Sequence, residues 1–95
     1  MTLSKPQQKK LKGLAQQLQV IVTIGAQGLK ETIHNELDSA LNHHQLVKVK
    51  IHTDTREQRS DMIATLSKKH QAELILSIGH TACFYRRNKD KTSIL

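Results

Sequence analysis

The segment Gly25-Ala26-Gln27-Gly28 gives this chain its clearest candidate for a ligand-binding loop. Glycine lets the backbone adopt conformations closed to other residues, and its missing Cβ lets a ligand approach the main-chain amides closely. A helix that begins directly after the loop would add unpaired N–H groups and a partial positive charge. Lys30 follows the loop and adds a full charge. Together these features favour an anionic ligand such as a phosphate group.

The spacing of the glycines distinguishes this loop from the common nucleotide-binding loops. A Walker loop has four residues between its glycines and then Gly-Lys-Ser/Thr, and a dinucleotide fingerprint requires an additional G-x-G. The G-x-x-G pattern is the one with which KH modules clamp a nucleic-acid backbone. Because two glycines around a turn are also ordinary turn chemistry, the prediction depends on the rest of the chain.

The charge of the whole chain points to a polyanionic partner. Fifteen Lys and Arg residues against eight Asp and Glu give a net charge of +7 and a pI near 9.9. Such a bias favours nucleic acid or an anionic membrane surface. The basic segment from Lys5 to Leu18 lacks the bulky apolar face of a membrane-binding helix, and no stretch is long and apolar enough to cross a bilayer. We therefore expect nucleic acid as the partner and no membrane.

Further cations can support the loop. Lys48 and Lys50 alternate with apolar residues, so both lie on one face of a predicted strand while the apolar residues meet the core. Arg86 and Arg87 begin the densest basic run of the chain. We expect these four residues and Lys30 to supply charge to a phosphate-rich ligand.

Catalysis and metal binding are not indicated. Cys83 is the only cysteine, which excludes an internal disulfide and a multi-cysteine metal site. Six histidines lack the spacing of metal ligands, and His80 is not presented to Cys83 as a base would be to its nucleophile. We expect a cytoplasmic, monomeric protein that is not an enzyme and has no cofactor, metal or small-molecule substrate.

Hydrophobic periodicity predicts alternating helices and strands that end in a hairpin. A first helix begins after Ser4, which with Gln7 fits a capping box. The predicted elements after it are a buried strand Val20–Ile24, a helix Leu29–Leu41, a strand Leu46–Ile51, a third helix capped by Thr53, Asp54 or Thr55, and strands Leu74–Ile78 and Thr81–Arg86 around a Gly79-His80 turn.

This order, α-β-α-β-α-β-β, predicts an α+β fold, a two-layer α/β sandwich with parallel crossovers before the final hairpin. Ninety-five residues are enough for one hydrophobic core and not for two. We therefore expect a single domain over residues 1–95, with residues from about 88 to 95 as a flexible basic tail.

Four segments resemble the CRM domain family (chloroplast RNA splicing and ribosome maturation), and in particular its free-standing bacterial YhbY-type members. The segments are Leu11–Ala15, Val22–Leu29, His44–Lys50 and Ile78–Arg86. Each motif is short, but the four occur in the expected order and span nearly the whole chain. Their combination is much more specific than the glycine loop alone.

The resemblance implies a four-stranded mixed sheet with packed helices, similar to the C-terminal domain of translation initiation factor three. It also implies a protein without catalytic activity that binds ribosomal RNA in precursors of the large ribosomal subunit. By position, Gly25, Ala26, Gln27 and Gly28 would form the RNA-contacting loop.

Two functions from different classes are consistent with the sequence. In the first, the chain assists ribosome assembly by recognising the shape and phosphates of RNA, because Ala26 and Gln27 carry no charge and no pair of stacking aromatics is present. In the alternative, the chain is a protein-interaction adaptor whose basic face meets an acidic partner, and the glycine loop is only a turn.

Overall fold

The computed structural model describes residues 3–95 and has the predicted order of elements. The elements are α1 (Lys5–Gln16), β1 (Val20–Ile24), α2 (Glu31–His44), β2 (Leu46–Ile51), α3 (Arg56–His70), β3 (Glu73–Ile78) and β4 (Thr81–Tyr85). The capping box of α1 is present, since the Ser4 hydroxyl accepts from the Gln7 amide and the Gln7 side chain accepts from the Ser4 amide. Thr55 caps α3 in the same way by accepting from the Gln58 amide.

Helix α2 begins and ends later than predicted. Lys30 has an extended backbone and precedes the first helical residue, Glu31. The helix continues through His44 and ends only at Gln45, whose φ of 65° breaks the helical geometry. Asn42, His43 and His44, which follow the predicted end of the helix at Leu41, are therefore its last residues.

The four strands form one mixed sheet in the order β1-β2-β4-β3. Strand β2 is parallel to β1 and antiparallel to β4, which is in turn antiparallel to β3. Strands β1, β2 and β3 thus run in one direction, and β4 runs between β2 and β3 in the other. The α+β class, the mixed sheet and the final hairpin are confirmed.

The prediction of two layers is wrong, because helices cover both faces of the sheet. On one face α2 and α3 pack around Val47, Val49 and Phe84. On the other face α1 packs against Ile75 and Tyr85. The periodicity of a helix identifies its apolar side but does not specify which face of the sheet that side covers.

Strand β1 is an edge strand, whereas the sequence predicts a strand buried on both faces. Val22 and Ile24 are in the core, but Val20 and Ile21 are 36% and 49% exposed. The apolar run suggested a central position, yet the sheet places β2 on only one side of β1.

Residues 88–95, for which the sequence predicts a flexible basic tail, contact the domain in the structure. The Asn88 side chain donates to the Asn42 carbonyl, and the Gln45 side chain donates to the Thr92 carbonyl at 2.9 Å. Ile94 and Leu95 pack against the cluster beneath α1. The apolar end of this segment thus gains a buried contact that its charged beginning did not suggest.

No helix within residues 3–95 is long and apolar enough to span a membrane.

Candidate nucleic-acid interface

The glycine loop is a tight turn between β1 and α2. The Gly28 amide donates to the Gly25 carbonyl at 3.0 Å, and Gly28 has a φ of 78°, a conformation that glycine adopts readily. Gly25, Ala26 and Gln27 are exposed. Within residues 3–95 the Ala26 and Gln27 amides donate no hydrogen bond, so both can donate to oxygen atoms of a ligand.

The start of α2 lies directly behind this turn and has no side-chain cap. Lys30 occupies the N-cap position and its side chain makes no capping hydrogen bond, in contrast to Ser4 in α1 and Thr55 in α3. The first amides of a helix have no partner inside the helix and carry partial positive charge. The loop and the helix start therefore present main-chain donors together, with the exposed Lys30 between them.

Two backbone hydrogen bonds join the loop to the neighbouring strand ends. The His52 amide donates to the Ile24 carbonyl at 2.9 Å, and the Ile51 amide donates to the His80 carbonyl at 2.7 Å. The glycine loop, His52 and the Gly79-His80 turn consequently lie side by side. We call this end of the sheet, where β1 and β2 finish and β4 begins, the loop end.

The two strand lysines have different surroundings although both lie on the predicted face. Lys50 is exposed and lies in register between Thr23 of β1 and Thr81 of β4. Lys48 is half-buried beneath the end of α1, and its Nζ donates to the Leu18 carbonyl at 3.4 Å. Only Lys50 presents its charge fully to solvent.

Arg86 lies at the opposite end of the strands, because β4 begins near the loop and runs away from it. Its guanidinium donates to the Asp38 carboxylate at 3.0 Å, the Asp38 carbonyl at 3.1 Å, the His70 carbonyl at 3.1 Å and the Asn42 side chain at 2.8 Å. It thereby links α2 to the end of α3. We call this end of the sheet, with the C-terminal ends of α2 and α3, the Arg86 end.

Arg87 is also engaged within the chain. Its guanidinium donates to the Gln45 side chain at 2.9 Å, to the Lys91 carbonyl at 2.9 Å and to the Asn88 carbonyl. These contacts fix the start of the C-terminal segment. The structure thus brings Lys30 and Lys50 towards the loop and separates Arg86 and Arg87 from it.

A histidine pair, with His70 buried and His34 half-buried, adjoins Arg86. His34 Nδ1 and His70 Nε2 are 3.0 Å apart, and His70 Nδ1 is 4.0 Å from the Asp38 carboxylate. Burial and then the positive charge of Lys69 lower the pKa of His34. Burial lowers the pKa of His70 most, and the neighbouring His34 lowers it further. Asp38 raises this pKa, whereas Arg86 and Lys69 lower it. A bond between two ring nitrogens requires one of them to be unprotonated.

Cys83 is buried in the cluster beneath α1. Burial raises the pKa of its thiol, and the neighbouring Lys48 only partly opposes this. A thiol in this state is a poor nucleophile.

Three side chains at the loop end were not among the predicted site residues. His52 and His80 have nearly parallel rings with centroids 6.4 Å apart, and Arg59 Nη1 lies 3.4 Å from His80 Nδ1. His52 follows β2 and His80 precedes β4, so the antiparallel pairing of these two strands brings them together. The sequence contains both histidines but does not reveal that pairing.

The sequence matches the CRS1 / YhbY (CRM) domain family over residues 3–86. This match covers most of the chain and includes the loop, both strand lysines and Arg86. The chain belongs to this family, as the four sequence segments predicted.

Similar proteins from three bacteria extend over nearly the same length. The chain is 38% identical over 89 residues to an "RNA-binding protein" of Haemophilus influenzae, covering 94% of this chain and 90% of that one. It is 34% identical over 88 residues to a "Probable RNA-binding protein" of Pseudomonas aeruginosa, covering 93% and 85%. A solution structure of a hypothetical Staphylococcus aureus protein, a candidate RNA-binding protein, superposes with a TM-score of 0.82 at 27% identity, covering 96% and 95%.

Proposed function

We propose that this chain binds RNA through the loop end, by main-chain donors that contact phosphates and by nearby cations. The observation that carries the proposal is the exposed turn Gly25–Gly28 with unpaired amides directly before an uncapped helix. The names of the Haemophilus and Pseudomonas relatives add support, since both refer to RNA binding. The net charge of +7 is consistent with such a ligand.

In this mechanism the backbone does most of the recognition. Ala26 and Gln27 have no charge, so the phosphate oxygens accept hydrogen bonds from their amides and from the first amides of α2. Lys30 and Lys50 add long-range attraction on either side of the turn. Because phosphates are common to every sequence, this part of the interface responds to the shape of the RNA and not to its bases.

The finer part of the proposal is the identity of the RNA. We propose ribosomal RNA within precursors of the large ribosomal subunit as the ligand, and assembly of that subunit as the process. Sedimentation of a cell extract tests this, with co-migration with large-subunit precursors as the expected result. Migration only with free protein or only with mature particles would contradict an assembly role.

The sequence also predicts RNA contacts for Lys48, Arg86 and Arg87. Their RNA contacts stay predictions from the sequence, and the hydrogen bonds of both guanidiniums within the chain favour a structural contribution. We therefore assign the first role in RNA binding to Gly25, Ala26, Gln27, Gly28, Lys30 and Lys50.

A substitution at Gly25 tests the loop more cleanly than one at Gly28. A Cβ added at Gly25 would have no atom within 4 Å, whereas any side chain at Gly28 would strain its φ of 78°. We expect Gly25→Asp to weaken RNA binding about tenfold or more, because a carboxylate would face the phosphate, and tenfold corresponds to about 1.4 kcal/mol.

Gly13→Asp is the matched control, since it makes the same change of charge on α1, also with no atom within 4 Å of the added Cβ. Binding is measured by titration of a labelled RNA, and folding by thermal melting. If the Gly25→Asp and Gly13→Asp variants both fold and bind RNA with equal affinity, the loop is only a turn.

If about five phosphates are contacted, log affinity should fall against log salt with a slope near −3.5 to −4.5. A protein that binds no RNA at low salt would instead support the adaptor hypothesis.

A further inference from the structure

We propose that a cavity at the loop end binds one unpaired base of the RNA, stacked on His52 and His80. This inference rests on the proposed RNA binding and adds a base-binding subsite to a surface that otherwise contacts phosphates. The cavity measures about 250 Å³ and is lined by the loop residue Ala26, both histidines and Met62 of α3. This volume is below the roughly 300–1,000 Å³ of sites for drug-sized ligands, which suits a single small ring system.

The two imidazoles provide stacking surfaces of the kind that unpaired RNA bases use. Single-stranded bases stack on aromatic side chains, histidine included. The planes of His52 and His80 differ by only 27°, and their centroids are 6.4 Å apart. Stacked bases are separated by about 3.4 Å, so two stacking intervals take about 6.8 Å. Both side chains are exposed, so the two rings are accessible to a planar base.

The polar part of the lining favours a base over a phosphate as the occupant. Asp54 lines the cavity and forms no ion pair within residues 3–95, so its carboxylate would repel an anion there. Gln58, also in the lining, accepts from the Asp54 amide at 3.2 Å through its carbonyl oxygen and retains its amide donors. A carboxylate and an amide can pair with the N–H groups and acceptors on the edge of a base.

The surroundings of the cavity suit the sugar-phosphate backbone that would carry the base. Ala26 belongs to both the cavity and the glycine loop, so a base in the cavity leaves its own phosphate beside the open amides. Arg59, 3.4 Å from His80, places a cation on the other side. A metal ion is a poor alternative occupant, because residues 3–95 contain no group of three or more His, Cys, Asp or Glu side chains that could hold one.

The test compares two RNAs of equal charge, an eight-adenosine strand and an eight-residue strand of abasic ribose phosphates. Base stacking on aromatic side chains contributes about 1–3 kcal/mol per base, so we expect wild-type protein to prefer the adenosine strand about tenfold. The double variant His52→Ala/His80→Ala should lose most of this preference and retain its affinity for the abasic strand. The double variant His43→Ala/His44→Ala is the matched control, because it removes another exposed histidine pair at the far end of α2.

The outcomes separate the subsite from the RNA binding on which it rests. Loss of the preference in the cavity variant, with the control unchanged and both melting like wild type, would support the subsite. A preference that survives in the cavity variant, or wild-type protein that binds both strands equally, would overturn it. If wild-type protein binds the labelled RNA of the loop titration but neither strand, the subsite is overturned and RNA binding stands; if it binds none of these RNAs, the proposed RNA binding itself fails and the subsite with it.

Discussion

The two ends of the sheet both carry basic residues, but they use them in opposite ways. At the loop end Lys30 and Lys50 are exposed. At the Arg86 end, Arg86 donates four hydrogen bonds to α2 and α3, and Arg87 holds the C-terminal segment. A positive charge that already has partners inside the chain contributes to stability, whereas one that faces water is available to a ligand.

The comparison explains why residue type alone is a poor guide to this interface. Arg86 and Arg87 look like ligand-binding cations in the sequence because they begin the densest basic run. Their fork-shaped side chains can bridge several oxygen acceptors at once, and here the acceptors are side-chain oxygens and backbone carbonyls of α2, α3, Gln45 and the C-terminal segment. The lysines of the loop end have no comparable set of acceptors nearby.

The largest expected effect comes from removing Arg86. Arg86→Ala leaves the His70 carbonyl and the Asp38 and Asn42 acceptors without a donor, and unsatisfied groups of this kind cost about 1–3 kcal/mol. Because the Arg86 side chain retains 20% exposure and water can replace part of the loss, we expect the free energy of unfolding to fall by about 2 kcal/mol. Urea denaturation measures this change.

Lys50→Ala is the control for the same experiment at the loop end. An exposed lysine without partners should change the free energy of unfolding by no more than about 0.5 kcal/mol. Equal losses for Arg86→Ala and Lys50→Ala would remove the distinction between the two ends.

A second, smaller effect concerns pH and again belongs to the Arg86 end. The pKa values of His34 and His70 are lowered in the folded chain from 6.5 in the unfolded chain, so the unfolded chain binds more protons in acid. Their contribution to stability is therefore complete above about pH 6.5 and is lost as the pH falls through the lowered values. Urea midpoints at pH 7.5 and 5.5 should decrease with acidification.

His34→Gln identifies the source of this pH dependence. The variant removes one titrating ring, so its urea midpoint should change less between the two pH values than that of the wild type. A variant with the same change as the wild type would show that other groups cause the acid sensitivity.

The smallest effect compares the two lysines of β2. Lys50→Gln should weaken RNA binding about threefold and reduce the slope of log affinity against log salt by about 0.7–0.9, the loss of one phosphate contact. Lys48→Gln should change both quantities less, because Lys48 is half-buried and bonded to the Leu18 carbonyl. Salt titrations of both variants measure the difference, and the reverse order would show that Lys48 leaves its place beneath α1 to contact RNA.

Much of the fold is predictable because its signals are local. The alternation of apolar and charged residues in β2 identifies a strand with one core face, and Gly79, with its φ of 57°, marks the hairpin turn. The face on which α1 packs and the edge position of β1 depend on contacts between distant segments. Neither the spacing of Leu11 and Ala15 nor the apolar run of β1 contains that information.

The candidate site is predictable to a similar extent. Gly25 and Gly28 are only three positions apart in the sequence and define a loop whatever the tertiary structure. The separation of Arg86 from that loop follows from the direction of β4, and the meeting of His52 with His80 follows from the pairing of β2 with β4. These depend on sheet order, which a single sequence does not specify.

The order of the strands also determines how quickly the domain can assemble. Strands β3 and β4 are joined by a two-residue turn, so their pairing needs almost no loop closure. Strand β2 must pair with β4 across all of α3 and β3, with Leu46 opposite Tyr85. Closing so long a loop costs conformational entropy before any contact compensates for it. Folding rates fall as contacts between residues distant in the sequence come to dominate. His52 and His80 can therefore meet only after β2 has paired with β4, so the proposed base-binding cavity forms later than the local turn Gly25–Gly28.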